Sequence, residues 1–336
     1  MNLLAAKPRR TFSLLIGIAL LGAALWAVIG NHTSAAAAWH ALRDPQPLWI
    51  VVLPITVVAT ALGTAASLMV LTNRVATETH VRLSEMLALT WVSTLGNYLP
   101  MQPGLVGRVA YQHQILQIPV AVSVLLAVQS TLLTVAAVCW LGLALLLVHA
   151  GQLSWIAAPL SVFILAATAF DARWHLKPIH AAFVIRFAEI LVSGLCTYAA
   201  FALIGKPIDP LAALVFACAS NASHCIPFIG NGMGIREWSI GLLAPVVAGI
   251  STPDALAAEL IHRAVEFLVV VPAGLTSMVP LMRRIRNSVE TVRVQRAPPS
   301  EFTMSVQLGS TGTQRLASGT SNDDLLPPNT PASSSP

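Results

Sequence analysis

Charge is what this sequence has least of. Only 10% of its residues are Asp, Glu, Lys or Arg, against roughly 25% in an ordinary soluble domain. A chain of 336 residues is long enough to bury a core, but so few charges cannot clothe one in water. Cysteine is scarce as well. Cys139, Cys196, Cys218 and Cys225 all lie in apolar stretches, with no CxxC and no Cys/His ligand spacing. A disulfide framework and a zinc site are therefore not supported, and the four read as small buried hydrophobes. HExxH, Walker A and GxSxG patterns are absent, as are carboxylates paired at acid–base spacing. Gly230-Asn-Gly-Met-Gly234 has no βαβ context and is no dinucleotide fingerprint. No catalytic residue, metal ligand or cofactor is expected.

What is present is apolar sequence, 56% of the chain. The net charge of +5 comes from short basic clusters beside apolar runs: Lys7, Arg9 and Arg10; Arg74 and Arg82; Arg283, Arg284 and Arg286. That is the distribution of a membrane protein with positive loops on one side, and it is not a nucleic-acid footprint. A crossing helix needs roughly 20 apolar residues at about 1.5 Å each. Residues 12–30, 47–72, 120–148, 153–170, 180–205 and 257–281 meet this requirement. The run after Arg10 is longer than a usual signal-peptide core, so it reads as an uncleaved first transmembrane helix. Six crossings from a cytoplasmic N-terminus put 73–82, 171–180 and the Arg283 cluster on the same side. The expectation is a multi-pass protein with both termini cytoplasmic, comprising a membrane domain over 1–290 and a polar, disordered tail over 291–336.

Two stretches are too short and too broken to be simple crossings. Ser84–Leu99 and Leu105–Ile118 flank a turn holding Pro100, Pro103 and Gly104, and Ile208–Phe228 and Trp238–Ile250 flank a glycine-rich turn. Both run helix, Pro, Gly-rich turn, Arg, helix, with Asn97, Gly107 and Arg108 in the first and Gly232, Gly234 and Arg236 in the second. They read as two re-entrant hairpins, one entering from each side. Broken backbone at membrane depth survives only against protein or a water-filled cavity, so each break points to a site. The fold expected is all-α, with about six spanning helices, two re-entrant hairpins and an inverted repeat.

Ionisable residues inside spans are costly and face the bundle interior. Glu259, His262, Arg263 and Glu266 stand at i, i+3, i+4 and i+7, within about 100° of one helix face. Arg186 and Glu189 share another face, and Arg108, Arg236 and Glu237 lie beside the breaks. A single inward cluster pairing all of them is expected. The glycines before Arg236 predict a helix start that presents free N–H groups to an anion.

Gly232-Met-Gly-Ile-Arg-Glu237, then His262-Arg-Ala-Val-Glu-Phe267, with Asn97-Tyr-Leu-Pro100 and Pro103-Gly-Leu-Val-Gly-Arg108, resemble the flippase-like membrane region of the lysylphosphatidylglycerol synthetases and its stand-alone relatives. The resemblance covers roughly residues 10–285. It implies a multi-pass protein of the bacterial inner membrane that moves a phospholipid or an isoprenoid-linked lipid between leaflets. The aminoacyl-transfer domain of the two-part synthetases has no counterpart in the short polar stretch after Arg286. Where relatives tend to carry a charge after the first hairpin, this chain reads Val128-Gln129-Ser130. The substrate-binding set expected is Arg236, Glu237, Arg263, Glu266, Gly232, Gly234, Asn97, Pro100, Gly104, Gly107, Arg108, Arg186 and Glu189. Within it, Arg236 and Arg263 contact an anionic head group, and Glu237 and Glu266 orient them. Two other readings stand beside translocation. A scaffold for a lipid or glycan biosynthetic enzyme would depend on the tail, and an intramembrane transferase would leave a chemically altered lipid in cells lacking the protein.

Overall fold

The computed structural model describes residues 7–30, 46–76, 80–99, 103–149, 151, 177–225 and 232–296. The predicted span 153–170, Pro100 and the tail beyond 296 lie outside them. The described residues form nine α-helices and no strand: α1 (Lys7–Gly30), α2 (Pro47–Asn73), α3 (Leu83–Asn97), α4 (Pro103–Ile115), α5 (Val120–His149), α6 (Lys177–Leu203), α7 (Pro210–His224), α8 (Ile235–Val247) and α9 (Thr252–Arg296). Proline opens α2, α4 and α7, where its missing N–H belongs to a group the helix leaves unpaired anyway.

Among the described residues, four helices are long and apolar enough to cross a membrane: Pro47–Asn73, Val120–Val148, Lys177–Leu203 and Thr252–Asn287. Their outward faces carry large apolar side chains that water would not tolerate in such number. Leu125 is 63% exposed, Leu146 67% and Leu268 73%. Lipid accounts for these surfaces, and the protein is an α-helical, multi-pass membrane protein. Prolines inside helices are tolerated in this setting, as Pro54 in α2 and Pro272 and Pro280 in α9 illustrate. Helix α9 is longer at both ends than the predicted 257–281. Thr252-Pro253 starts it early, and the Arg283–Arg286 cluster, though polar, has good helix formers and does not stop it.

The two broken stretches become two matched helix pairs. Helices α3 and α4 have 15 and 13 residues, and α7 and α8 likewise have 15 and 13. The long helices before them, α2 and α6, have 27 residues each. Fifteen residues span about 22 Å, short of a hydrocarbon core of roughly 30 Å. Helix α7, at 15 residues, is likewise too short to cross.

Helix α9 orients both pairs. Near the α3 start, Glu85 pairs with Arg284 late in α9, and Met86, Leu89 and Tyr111 share a cluster with Leu281. The second pair meets the beginning of α9, where Ala212, Ala213, Ile240 and Ala244 pack with Ala255 and Ala258. The pairs thus enter the bundle from opposite ends of α9, tips inward. Alanine dominates the second interface because apolar burial drives little association in lipid, and close backbone approach drives more. Helix α1 lies against α8, with Trp238 Nε1 donating to the Leu20 carbonyl at 3.0 Å. The cysteines only partly follow expectation. Cys196 and Cys218 are buried, Cys225 is half-buried, and Cys139 is exposed on the outer face of α5, where a thiol is apolar enough for lipid.

Candidate functional site

Both hairpin tips meet at one carboxylate. Tyr98, at the first tip, donates its hydroxyl to Glu266 Oε1 at 2.8 Å, and its ring stacks on Phe267 at 4.2 Å between centroids. Arg236, at the second tip, donates Nη1 to Glu266 Oε2 at 3.0 Å, and Arg263 Nη1 reaches the same oxygen at 3.2 Å.

Around the second tip the charges are densely paired. Arg236 also forms an ion pair with Glu259, and its Nη2 lies 2.7 Å from His262 Nδ1. The other ring nitrogen, Nε2, lies 3.0 Å from Cys196 Sγ. Arg263 Nε donates to Glu237 Oε1 at 3.0 Å. The second oxygen of Glu237 accepts the Gly234 backbone N–H at 2.6 Å. Gly234 holds φ +84° at the N-cap, and a Cβ there would collide with Leu20, so only glycine fits. The α8 start was expected to offer free N–H groups to an anion. The chain's own Glu237, wholly buried, takes the Gly234 N–H there by closing half of a capping box. Gly232, at φ +65°, packs against Ser223.

A second network lies between the long helices. Arg186 Nη1 donates to Glu189 Oε2 at 2.8 Å and to Thr64 Oγ1 at 3.2 Å. Its Nη2 donates to Ser130 Oγ at 2.7 Å. Thr64 in turn donates to Glu189 Oε1 at 2.6 Å. This stitches α2, α5 and α6 together. The single cluster expected from the sequence is thus two networks, because the arginines of α6 and α8 each find closer partners on different helices. Arg108 belongs to neither network. It makes no ion pair or hydrogen bond among the described residues.

The first tip is held by backbone rather than charge. A Cβ on Gly104 would overlap the Ser93 carbonyl oxygen, and one on Gly96 would sit 2.8 Å from Gly104 Cα. Asn97 Oδ1 accepts the Leu105 N–H at 3.2 Å, capping α4 from across the turn. A Cβ on Gly107 would meet nothing among the described residues.

Between the tips and the long helices lies a cavity of about 310 Å³, at the lower end of small-molecule site volumes. Five of the predicted residues line it: Arg108, Arg186, Glu189, Arg236 and Glu266. Arg263, Glu237, Gly232, Gly234, Asn97 and Gly104 stand behind its wall as supports. Sequence reasoning missed Tyr98, Thr64 and Ser130. The position of Tyr98 beside the break was a usable signal, whereas a hydroxyl residue in a spanning helix carries none. Among the described residues no group of His, Cys, Asp and Glu is arranged to hold a metal ion.

The class these features define is an all-helical, multi-pass membrane protein with a polar cavity at the meeting point of two opposed helix pairs. Neither a protein-family profile nor a curated protein matches the chain.

Proposed function

We propose that the protein translocates a lipid, or a lipid-linked molecule, between the leaflets of the bacterial inner membrane, with both termini cytoplasmic, as a stand-alone relative of the membrane region of lysylphosphatidylglycerol synthetases. The observation that carries this reading is the charged cavity of about 310 Å³, lined from both opposed tips and walled by helices whose outer faces are apolar. A polar head group enters the cavity while its chains stay in lipid, so the head group never pays the full cost of crossing hydrocarbon. Because the helix pairs enter from opposite ends, loosening one tip opens the cavity toward one leaflet, and loosening the other opens it toward the opposite leaflet. Glu266, held by both tips, is the latch between the two states.

The test is movement of labelled lipids across liposomes carrying the purified protein, using anionic, zwitterionic and isoprenoid phosphate probes. Ala61, a small cavity-lining residue, is replaced by Trp to fill the space. Movement by the wild type that Ala61→Trp abolishes at unchanged melting temperature is the expected result. Folded wild-type protein that moves none of the probes overturns the reading.

A further inference from the structure

Of the four arginines in and around the cavity, three are neutralised. Arg186 faces Glu189, Arg236 faces Glu259 and Glu266, and Arg263 faces Glu237 and Glu266. Arg108 lines the same cavity with no partner of its own among the described residues. We propose that the first-hairpin end of the cavity is a seat for a phosphodiester monoanion, built on Arg108 and completed by Arg186 and Thr94. This rests on the cavity assigned to translocation above and specifies what occupies it.

The charge distribution favours that end. Among the described residues, Arg108 and Arg186 stand against one carboxylate, Glu189, a surplus of one positive charge. At the other end Arg236 and Arg263 stand against Glu237, Glu259 and Glu266, a surplus of one negative charge before the imidazoles of His224 and His262 are counted. A proton on His262, which lies beside Glu259, brings that end only to neutrality. An anion entering the cavity is therefore drawn to Arg108 and away from Glu266.

A spare donor sits at the same end, where Arg186 supplies charge while both of its terminal nitrogens are already used. Thr94 lines the cavity, and its hydroxyl makes no hydrogen bond among the described residues. A guanidinium presents paired N–H groups that match two oxygens of one phosphorus. A single surplus charge matches a diester, which carries one negative charge, better than a monoester, which carries nearly two. The cavity volume suits a head group and excludes long acyl chains.

The experiment is equilibrium binding in maltoside micelles, which contain no phosphate, read by native mass spectrometry and by the ligand-induced rise in melting temperature. The probes are short-chain phosphatidylglycerol, its deacylated glycerophosphoglycerol, and diacylglycerol as the uncharged control. The expected result is binding of the phosphodiester probes that Arg108→Gln weakens by tenfold or more, that Arg108→Lys restores in part, and that diacylglycerol lacks. The ligand-free melting temperature of Arg108→Gln stays at the wild-type value, since no ion pair is lost. Binding of the lipid alone identifies a lipid head group as the source, and equal binding of the deacylated compound identifies a soluble phosphodiester. Wild-type affinity in Arg108→Gln, or equal affinity for diacylglycerol, overturns the proposal. Because no bilayer is involved, absence of lipid movement with Arg108-dependent binding intact overturns translocation alone.

Discussion

The two helix pairs have the same lengths and the same proline–glycine–arginine plan, yet they are held in opposite ways. The first is locked by backbone contact, with Gly96 against Gly104, Gly104 against Ser93, and Asn97 capping α4. Its arginine, Arg108, is left over. The second is locked by charge, with Glu237, Glu259 and Glu266 absorbing Arg236 and Arg263, and no guanidinium remains for a ligand. An arginine beside a glycine break is thus a binding group only when the tip can be closed without it.

The comparison is broken most severely by removing a charge from the second tip. Arg263→Ala leaves Glu237 buried without its ion-pair partner and is expected to cost about 3–5 kcal/mol. A large drop in the melting temperature of the detergent-solubilised protein, or loss of the folded species on size exclusion, checks this. The counterpart at the first tip is Gly104→Ala, which must push the hairpin apart. About 1–3 kcal/mol, or somewhat more, is expected for this overpacking, with stability again the measurement. Should Gly104→Ala prove neutral, the first tip is not held as described.

Tyr98→Phe separates the two tips without adding bulk. It deletes one hydrogen bond to a carboxylate, worth about 1.5–3 kcal/mol in favourable cases and less where Glu266 keeps its two arginines. The sharper readout is access: a maleimide probe at Thr94→Cys should react faster when Tyr98 is Phe. The smallest effect belongs to Arg284→Ala. Arg284 is half exposed and pairs with Glu85 at the mouth of the first hairpin, so its loss should shift stability by about 1 kcal/mol or less.

Much of the architecture was legible because lipid enforces simple rules. The runs at 47–72, 120–148 and 180–205 became helices to within a few residues, since a crossing must be long and uniformly apolar. Glu259, His262, Arg263 and Glu266 declared a common face, since charges at helical spacing in an apolar run are too costly to be accidental. What was not legible is which partner each charge finds. Arg108 and Arg236 look alike in sequence, and what separates them is that Glu259 and Glu266 of α9 reach Arg236, whereas no carboxylate among the described residues pairs with Arg108. Thr64 and Ser130 carry the Arg186 network, yet hydroxyl residues are common enough in spanning helices that nothing singled them out. A detail of the second tip was hidden for a related reason: Glu237 was read as orienting an arginine, and its other oxygen also closes the Gly234 cap.

The sequence spacing of the second network bears on how the chain enters the membrane. Arg186 and Glu189 lie on the same helix three residues apart, so α6 arrives at the insertion machinery already neutralised. Helix α8 does not. Arg236 finds its carboxylates on α9, and Arg263, which already has Glu266 three residues along its own helix, takes Glu237 on α8. Alone in lipid, α8 would hold Arg236 and Glu237 without these partners, at roughly 2.5–3.5 kcal/mol per residue. The expected order of membrane entry is therefore that α8 settles in the bilayer only once α9 has been synthesised and can pair with it.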